Sequence, residues 1–408
     1  MAGDQHQDKP ISLAEALAAI AEAFRPATAA ETVPLGEAHG RILAADITAP
    51  IAVPAADNSA VDGYAFRHAD SAGPLKIVGT AAAGHPYAKP VGNGEAVRIF
   101  TGAIMPEGAD TVAPQEIVTA SGVSLTVPGL GQGANRRRAG EDIAAGSRIR
   151  TAGERLDAAK IGVIASVGIA DIPVRRPLRL AVFSTGDELI EGDAPLGPGQ
   201  IYDSNRPVLL AMLKSLGIAA TDLGILPDKQ DIIAARLAEA ARTHHAVVCS
   251  AGMSVGDEDH VKAAVRSLGA LDFWSVAIKP GRPIAVGRIG ATPFFGLPGN
   301  PVAMIVTFQT IVRPALLRLA GATPVEPRRF PVTADFQLAR RPGKREFLRC
   351  TLHPGEGHAL LARRFERGGS GVLSSVADSE GLLEVAEDIA GITPGMTLPF
   401  LPFSSLGL

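Results

Sequence analysis

The sequence has 408 residues, enough for about two to four domains of ordinary size. Lysine and arginine total 39 and aspartate and glutamate total 42, so the formal net charge of −3 excludes a nucleic-acid binder that relies on bulk positive charge. Hydrophobic residues make up 46% of the chain and aromatic residues 4%, which allows buried cores but argues against stacking platforms for single-stranded nucleic acid.

The first predicted element is a helix that begins after Ser12 and ends before Pro26. Ser12 and Glu15 have the spacing of a capping box, which contributes about 1 kcal/mol to helix stability. The apolar residues that recur at helical spacing on one face are Leu13, Leu17, Ile20 and Phe24. A second helical segment is predicted over residues 35–43.

From about Asp46 the pattern changes to short β-rich runs separated by glycine and proline. The predicted strands cover residues 75–78, 97–100, 111–113 and 123–127. Regular short strands with turn residues between them indicate an all-β module, which ends near the basic stretch Asn135–Asp142. A helix over residues 154–167 and a linker over residues 173–177 follow.

Beyond the linker, strands and helices alternate. The predicted strands cover residues 178–183, 221–226, 246–249, 273–278, 283–287 and 294–297, and the predicted helices cover 207–216, 231–242, 261–268 and a long segment after Pro301. This alternation predicts a parallel sheet covered on both faces, with ligands at the carboxyl ends of its strands. Short β-runs at 330–333, 346–352, 382–385 and 396–401 predict a separate small β domain at the C-terminus.

The cysteines and the N-terminus indicate a reducing compartment. Cys249 and Cys350 are far apart and show no metal-ligand spacing, so we interpret both as small buried apolar residues. The first residues lack the basic segment and apolar run of a signal peptide, and no apolar run approaches the roughly 20 residues that cross a bilayer. We therefore expect a cytoplasmic protein with no membrane association.

Four loops of the α/β segment carry small, hydroxyl and charged residues. They are Ser184–Glu188, Ser250–His260, Lys279–Pro283 and Leu297–Pro301. Glycine and hydroxyl residues let the backbone approach an anion, and adjacent carboxylates suit Mg²⁺. Each loop alone also fits an ordinary turn. Because all four follow strands at one predicted sheet edge, together they predict a pocket for an anionic ligand with a metal.

The β module contributes two further segments, Asp57–Ala65 and Thr101–Ala103. Taken alone, Asp62 before a glycine fits a turn residue, and Arg137 with Asp142 fits a surface ion pair worth under about 1 kcal/mol. The residue types of these segments alone do not favour a functional role over a structural one.

The ordered set of motifs extends along nearly the whole chain. The stretches concerned are Asn58–Ala65, Thr101–Asp110, Arg137–Asp142, Ser184–Leu189, Tyr202–Asn205, Ser250–His260, Lys279–Pro283, Gly296–Ala303 and Gly369–Ser375. In this order they resemble the molybdopterin molybdenumtransferases and the related C-terminal domain of gephyrin. A single motif of this length would not identify a family, whereas the whole ordered set does.

The resemblance implies a multidomain α/β plus β fold. Residues 1–45 and 141–176 would form two parts of a mostly helical linking region, and residues 46–140 an inserted β module. Residues 177–326 would form a molybdopterin-binding α/β domain with a parallel sheet, and residues 327–408 a C-terminal β barrel. It also implies a homodimer whose active cleft lies between the α/β domain of one subunit and the β module of the other.

The resemblance further implies a transferase that inserts molybdate into adenylylated molybdopterin (molybdopterin-AMP). The phosphoanhydride is hydrolysed and AMP is released, with assistance from a divalent metal such as Mg²⁺. A molybdopterin adenylyltransferase would be the upstream donor, and neither nucleic acid nor membrane would be a partner.

The site residues follow from the same resemblance together with the loop chemistry. The catalytic residues would be Asp62, Thr101, Glu188, Asp228 and Asp259, of which Glu188, Asp228 and Asp259 would bind the metal. The substrate-binding residues would be Arg137, Asp142, Ser184, Thr185, Gly186, Asp187, Asp203, Ser204, Asn205, Gly252, Ser254, Gly256, Lys279, Gly281, Arg282, Pro298, Gly299, Asn300, Pro301 and Ser370.

Two other functions stay open at this point. A non-catalytic molybdopterin-binding scaffold would keep the fold without turnover, although the joint presence of the five catalytic candidates argues against it. A molybdopterin adenylyltransferase would share the α/β domain, but the β module and the C-terminal barrel argue against that enzyme.

Overall fold

The structure is a computed structural model that describes residues 10–250, 260–281, 284–323 and 326–408. The chain divides into two compact units. One unit comprises the described residues up to Glu31, Gly40–Ala44 and the residues from Val174 onward, and the other comprises Thr32–His39 and Ala45–Pro173. The first unit contains the α/β domain and the C-terminal barrel, and the second contains the β module.

Helices are spread through the chain, with most of them in the α/β domain. Their bounds are α1 Leu13–Ala23, α2 Ala158–Ser166, α3 Asn205–Ser215, α4 Gln230–Thr243, α5 His260–Leu268, α6 Pro301–Thr307, α7 Arg313–Leu319 and α8 Ser374–Ala377. Helix α1 confirms the predicted capping box. The Glu15 backbone N–H donates to the Ser12 hydroxyl oxygen, and the Glu15 carboxylate accepts the Ser12 backbone N–H at 2.7 Å.

Replacing Ser12 with alanine tests this cap. The Ser12→Ala variant loses the acceptor for the Glu15 N–H, and we expect the free energy of unfolding of α1 to fall by about 1 kcal/mol. Hydrogen exchange of the α1 amides measures the change. Ala18→Gly, in the exposed middle of α1, is a comparison for a purely backbone effect of about the same size. Unchanged exchange in Ser12→Ala would contradict the capping role.

Strands β1 to β12 lie between residues 30 and 175. Their bounds are β1 Ala30–Pro34, β2 Ile47–Thr48, β3 Asn58–Ser59, β4 Gly63–Phe66, β5 Leu75–Ala81, β6 Glu95–Ile99, β7 Thr111–Pro114, β8 Thr119–Ser121, β9 Ser124–Thr126, β10 Arg136–Arg137, β11 Arg148–Arg150 and β12 Asp171–Arg175. A six-stranded sheet in the order β7-β4-β6-β5-β9-β8 forms the β module, as the sequence predicts. Buried residues such as Phe66 and Ile99 form its cores on the two faces.

Before residue 177 one local prediction is wrong and two differ from the structure in their bounds. Residues 35–43 do not form a helix: a 3₁₀ turn covers Leu35–Glu37, and Gly40 then adopts a φ of 77° that ends any helical path. The linker over residues 173–177 is partly the strand β12, whose Ile172 and Val174 are buried. The helix predicted from residue 154 begins at Ala158, because Asp157 caps it by accepting the Lys160 N–H.

Strands β13 to β21 belong to the α/β domain and its connection to the barrel. Their bounds are β13 Arg179–Thr185, β14 Leu189–Ile190, β15 Ile201–Tyr202, β16 Ala219–Leu226, β17 Ala246–Ser250, β18 Gly269–Trp274, β19 Ile278–Lys279, β20 Ile284–Ile289 and β21 Thr292–Leu297. The sheet order is β16-β13-β17-β21-β20-β18. The first four strands are parallel, as predicted, and the antiparallel strand β20 makes the sheet mixed at its other end.

Helices cover both faces of this sheet. Leu180 and Val182 of β13 pack on one face with α3 and α6, whereas Ala181 and Phe183 pack on the other with α4 and α5. Alternate residues of one strand therefore enter opposite cores, which explains the continuous apolar run in the sequence.

The predicted strand over residues 273–278 is wrong, because two separate strands occupy this segment. Strand β18 ends at Trp274, and Val276 forms an isolated bridge with Ile11. Strand β19 then pairs in parallel with the barrel strand β24, Arg345–Pro354, which places Lys279 opposite Glu346. Apolar periodicity does not report this change of sheet, because a β-type run in the sequence looks the same whichever sheet each strand joins.

The C-terminal residues close into a five-stranded barrel. The strands from residue 330 onward are β22 Phe330–Ala334, β23 Leu338–Ala339, β24 Arg345–Pro354, β25 Leu360–Arg364, β26 Gly381–Val385, β27 Gly391–Ile392 and β28 Thr397–Pro402. The ring runs β24-β25-β22-β28-β26 and returns to β24. Phe400 and Cys350 are fully buried in the barrel core. Burial raises the pKa of the Cys350 thiol to about 12, which fits the prediction of an inert apolar cysteine.

One helical segment in the described part of the chain has the length and composition of a membrane span. It covers the 19 residues Pro301–Leu319, has a mean hydropathy of 1.4, and consists of α6, a π-helical stretch and α7. The expectation that no apolar run approaches membrane-spanning length is therefore wrong for this segment. Of the most apolar 18-residue window of this segment, 78% is buried inside the protein, as in the core helix of a packed domain.

Candidate functional site

The strand register brings the predicted ligand loops to one edge of the α/β sheet. Ser184 at the end of β13 lies opposite Ser250, and Ser250 lies opposite Leu297 at the end of β21. Because β20 runs antiparallel to β21, its first residues lie at the same edge. Ala285 there pairs with Gly296, the residue before Leu297. The segment that follows Lys279 therefore also reaches this edge.

Two candidate metal-binding carboxylates lie beside the first loop. Thr185 Oγ1 donates to Asp228 Oδ1 at 3.4 Å. Gly186 has a φ of 146°, and a Cβ at this position would lie 2.5 Å from Glu188 Oε2. The positive φ favours glycine at this position, and the absence of a Cβ leaves room for the Glu188 carboxylate over the backbone of the loop. Glu188 and Asp187 are exposed, so both can reach a ligand at the sheet edge.

In the Tyr202–Asn205 motif, Asp203 is paired within the protein. The Asp203 carboxylate is 2% exposed and accepts the backbone N–H and the Nε–H of Arg206, both at 3.1 Å. Asn205 Nδ2 donates to the Gly299 carbonyl at 2.7 Å. The Asn205 Oδ1 and the Ser184 Oγ are buried and have no hydrogen-bond partner within the described ranges. Asp203 thus stabilises the start of α3, whereas Asn205 and Ser184 each have one polar atom without a hydrogen bond to the described residues.

A cavity of about 510 Å³ lies between the sheet edge and the barrel. The predicted binding residues that line it are Lys279, Gly281, Pro298, Asn300 and Ser370. The barrel adds the cations Arg340, Lys344, Arg349 and Arg364 and the acid Glu346. Positive side chains predominate in the lining, so the cavity favours an anion.

Glu346 organises the cations at one wall of the cavity. Its Oε1 lies 2.8 Å from Lys279 Nζ and its Oε2 lies 3.2 Å from Arg340 Nε. Arg340 is 3% exposed and also donates to the Ala386 carbonyl at 2.7 Å. Lys279 remains 62% exposed. The buried pair holds the exposed ammonium at the cavity wall, where it can contact a bound anion.

Arg349 also lines the cavity. Its Nε–H donates to Ser375 Oγ at 3.0 Å and an Nη2–H donates to the Gly369 carbonyl at 3.1 Å. Burial lowers the pKa of Arg349. The carbonyl of the adjacent Ser370 accepts the Val302 N–H at 2.9 Å, so the glycine loop of the barrel is tied to the start of α6. Both domains of this unit thus build the cavity.

Within the β module, Asp62 and Thr101 form a second candidate cluster. Asp62 Oδ1 accepts the Thr101 N–H and the Thr101 hydroxyl, each at 2.7 Å. These bonds, the backbone bond first, lower the pKa of Asp62, so its carboxylate stays ionised at neutral pH. The guanidinium of Arg98 lies 4.9 Å from the centroid of the Phe100 ring beside this cluster.

Arg137 lies next to the same segment, because β10 pairs with β3 and sets Arg137 opposite Asn58. The suggested ion pair between Arg137 and Asp142 is wrong, since no such pair joins these two described and exposed residues. Arg136 instead forms an ion pair with Asp57 at 3.5 Å. Arg137 therefore remains available to a ligand.

Several predicted site residues lie outside the described residues. They are Gly252, Ser254, Gly256, Asp259 and Arg282. Among the residues that the structure does describe, no group of three or more histidine, cysteine, aspartate or glutamate side chains is arranged to hold a metal ion. The predicted Ser204, Gly299 and Asn300 are exposed, and Pro301 starts α6.

Sequence reasoning missed the cations and the acid that the barrel contributes to the cavity, and it missed Arg206. Arg340, Lys344 and Glu346 precede or begin β24, and only the non-local pairing of β19 with β24 brings them to Lys279. The available signal was compositional, namely a cluster of charges in a short barrel segment.

Comparison with known proteins identifies the family of the chain. Residues 11–168 match the family described as MoeA N-terminal region (domain I and II), residues 181–318 match the probable molybdopterin binding domain, and residues 331–403 match the MoeA C-terminal region (domain IV). The chain is 37% identical to molybdopterin molybdenumtransferase of Haemophilus influenzae, over 93% of this chain and 95% of that protein. The chain belongs to the molybdopterin molybdenumtransferase family.

Further relatives support this assignment. Molybdopterin molybdenumtransferase 2 of Mycobacterium tuberculosis is 35% identical over 90% of this chain and 93% of that protein. The solved structure of a molybdopterin biosynthesis moeA protein from Pyrococcus horikoshii OT3 has a TM-score of 0.82 and 27% identity, covering 97% of this chain and 100% of that one. The expected fold and the expected enzyme family are thus confirmed.

Proposed function

We propose that this protein inserts molybdate into adenylylated molybdopterin and releases AMP, as the final step of molybdenum cofactor synthesis. The observation that carries the proposal is the cationic cavity between the carboxyl edge of the α/β sheet and the barrel. Molybdate is a dianion and the phosphoanhydride carries further negative charge, so the reaction needs positioned cations and polar donors. Membership of the molybdopterin molybdenumtransferase family supplies the substrate class.

In this proposal the cavity binds molybdate. The exposed ammonium of Lys279 and the polar groups near Ser370 would contact the oxyanion, while Glu346 holds Lys279 in place. Asn300 and Pro298 line the same cavity and also continue into the loop at the sheet edge. Molybdate would therefore bind beside the strand-end loops that receive the phosphates.

The strand-end loops would bind the adenylylated substrate. The unused Asn205 Oδ1 and Ser184 Oγ are acceptor and donor groups at this edge, beside which the phosphates would bind. Hydrolysis adds the oxygen of water to one phosphorus of the phosphoanhydride and a proton to the departing phosphate oxygen. Asp62, Thr101, Glu188, Asp228 and Asp259 are the proposed catalytic residues.

The residues present fit a bound Mg²⁺. Glu188 and Asp228 flank the Thr185–Gly186 backbone, and Mg²⁺ characteristically binds one or two carboxylates together with substrate phosphate oxygens. We propose that these two residues and Asp259 hold the metal. When bound, it would neutralise charge on the phosphoryl oxygens. The protein's own part is to present the two carboxylates beside a loop whose positive φ favours glycine.

We also propose a cytoplasmic homodimer supplied by a molybdopterin adenylyltransferase. The Asp62–Thr101 cluster of one copy would complete the substrate site of the other. The five segments 1–45, 46–140, 141–176, 177–326 and 327–408 are the proposed domain boundaries. The family matches to residues 11–168 and 331–403 support the two segments that an adenylyltransferase would lack.

One assay tests the proposed function against its alternatives. Purified protein receives adenylylated molybdopterin, Mg²⁺ and molybdate, and AMP release is followed together with the mature cofactor. We expect AMP release that depends on molybdate. A protein that binds the substrate without releasing AMP would be a scaffold, and formation of the adenylylated species from ATP would indicate an adenylyltransferase.

Lys279→Met tests the cavity as the molybdate site. The variant removes one exposed positive charge but keeps the backbone pairing of β19, so we expect the KM for molybdate to rise about tenfold with kcat nearly unchanged. Steady-state kinetics at varied molybdate measure the effect. Lys76→Met, an exposed lysine of the β module, is the matched control. Equal KM values in Lys279→Met and wild-type protein would remove Lys279 from the oxyanion site.

A further inference from the structure

Arg206, near the start of α3, is surrounded by carboxylates from three different segments. Its guanidinium contacts Asp203 from the preceding motif, Glu191 from the segment after β14, and Asp222 from β16. The Arg206 side chain is 8% exposed. Burial opposes its charge, but the hydrogen bonds of Asp222 and Asp203 outweigh burial and raise its pKa. Arg206 is therefore a permanently charged centre that joins three segments.

The three anchors differ in how firmly they are held. Asp203 is almost completely buried at 2% exposure, whereas Asp222 is 40% and Glu191 55% exposed. Asp222 lies at an irregularity where β16 gains one residue relative to β13, and the Gly224 N–H donates to Asp222 Oδ1 at 2.9 Å. Bulges of this kind frequently reorient side chains beside active sites. Arg206 thus contacts the irregular edge strand β16 through Asp222, and it also pairs with the more exposed Glu191.

Asp203 helps to position Asn205, the residue that contacts the loop around Gly299. Asp203 binds both the backbone N–H and the Nε–H of Arg206, which sets the first turn of α3. Asn205, in that turn, donates its amide to the Gly299 carbonyl at 2.7 Å, and its Oδ1 stays buried without a partner among the described residues. The neighbours of Gly299, Pro298 and Asn300, line the cationic cavity.

We infer that Arg206 is a positioning residue for the substrate site, acting through Asp203 and Asn205 on the loop around Gly299. This role rests on the proposed function, because it assigns Arg206 to the site that binds the adenylylated substrate. Arg206 fixes the first turn of α3 and, through the Asn205 bond to Gly299, holds the loop that joins the sheet edge to the cavity. Through Glu191 it also anchors the segment that connects β14 to β15.

The variants Arg206→Met and Arg206→Lys test the inference. Methionine keeps the length of the side chain and removes the charge, whereas lysine keeps the charge but cannot serve three carboxylates with a planar fork. We expect Arg206→Met to raise the KM for adenylylated molybdopterin about tenfold while kcat falls by less than about threefold. Arg206→Lys should recover part of this loss. Asn205→Ala should reproduce the KM effect, because Arg206 acts through Asn205.

Amide hydrogen exchange supplies a readout that does not depend on turnover. We expect faster exchange in Arg206→Met for peptides that cover residues 203–206 and 298–301, with a smaller change in Asp222→Asn. Arg236→Met is the control, since Arg236 forms an exposed pair with Glu239 on α4. If the wild-type protein shows no molybdate-dependent AMP release, the proposed function fails. The exchange data then still test whether Arg206 holds the loop over residues 298–301.

Two results would overturn the inference. Unchanged exchange at residues 298–301 in Arg206→Met would show that Arg206 does not hold the loop. A fall in kcat at unchanged KM, together with a lower melting temperature, would show loss of folded enzyme instead of a displaced binding site.

Discussion

Glu188→Ala is expected to lower kcat for molybdate-dependent AMP release by about 100-fold or more while the protein stays folded. The carboxylate is exposed and folds over Gly186, so its removal leaves no cavity and no buried polar group, and the cost to the free energy of unfolding should stay within about 0.5 kcal/mol. A group that holds a metal on phosphoryl oxygens, by contrast, supplies several kcal/mol to the transition state, and each 1.4 kcal/mol is about a factor of ten in rate.

The kinetics separate this role from simple substrate binding. If Glu188 contributes to the metal site, the variant should also need a higher Mg²⁺ concentration for half-maximal activity. Glu239→Ala removes an exposed carboxylate on α4 and should leave both activity and Mg²⁺ dependence unchanged. Wild-type turnover in Glu188→Ala would exclude Glu188 from the site and leave Asp228 as the described metal candidate.

Features that depend on neighbouring residues in the sequence are well predicted. The capping box of Ser12 and Glu15 marks the start of α1 from local sequence alone, since each side chain accepts the backbone N–H of the other residue. The alternation of strands and helices likewise predicts which loops share the carboxyl edge, and the register of β13, β17 and β21 confirms it. Local signals and overall fold agree in these segments.

Features that depend on distant pairing are not predicted. Residues 273–278 read as one strand, but the chain leaves the α/β sheet there because β19 finds its partner more than sixty residues later in β24, opposite Arg345 and Glu346. Asp203 has the sequence context of a ligand residue, yet Arg206 occupies its carboxylate. The first contact comes from a strand whose position only tertiary structure determines. The second joins residues three apart, and tertiary structure decides it by placing Arg206 among Asp203, Glu191 and Asp222.

Loss of Arg340 should be costly to the barrel, because its charge is buried among polar partners. Its guanidinium is 3% exposed and binds Glu346, which is itself 7% exposed, and the Ala386 and Ile389 carbonyls. Arg340→Met keeps much of the volume but leaves the Glu346 carboxylate with Lys279 alone. Because removal of one partner of a buried ion pair is far more costly than the pair is worth, we expect a loss of about 3–5 kcal/mol.

Hydrogen exchange of the β24 and β26 amides measures this loss within the barrel, where a single melting curve of a multidomain chain would mix several transitions. Arg341→Met, at the exposed neighbouring position, is the control and should change the free energy by less than about 0.5 kcal/mol.

The double variant Arg340→Met, Glu346→Gln decides whether the cost arises from the unpaired charge. Without the carboxylate, no buried anion remains to be compensated, so the double variant should recover a substantial part of the stability lost in Arg340→Met. Lys279 would lose its anchor at the same time, and the KM for molybdate should rise as in Lys279→Met. If the double variant is no more stable than Arg340→Met, the guanidinium stabilises the barrel mainly through the carbonyls of Ala386 and Ile389, and Glu346 is maintained in the cavity for Lys279 alone.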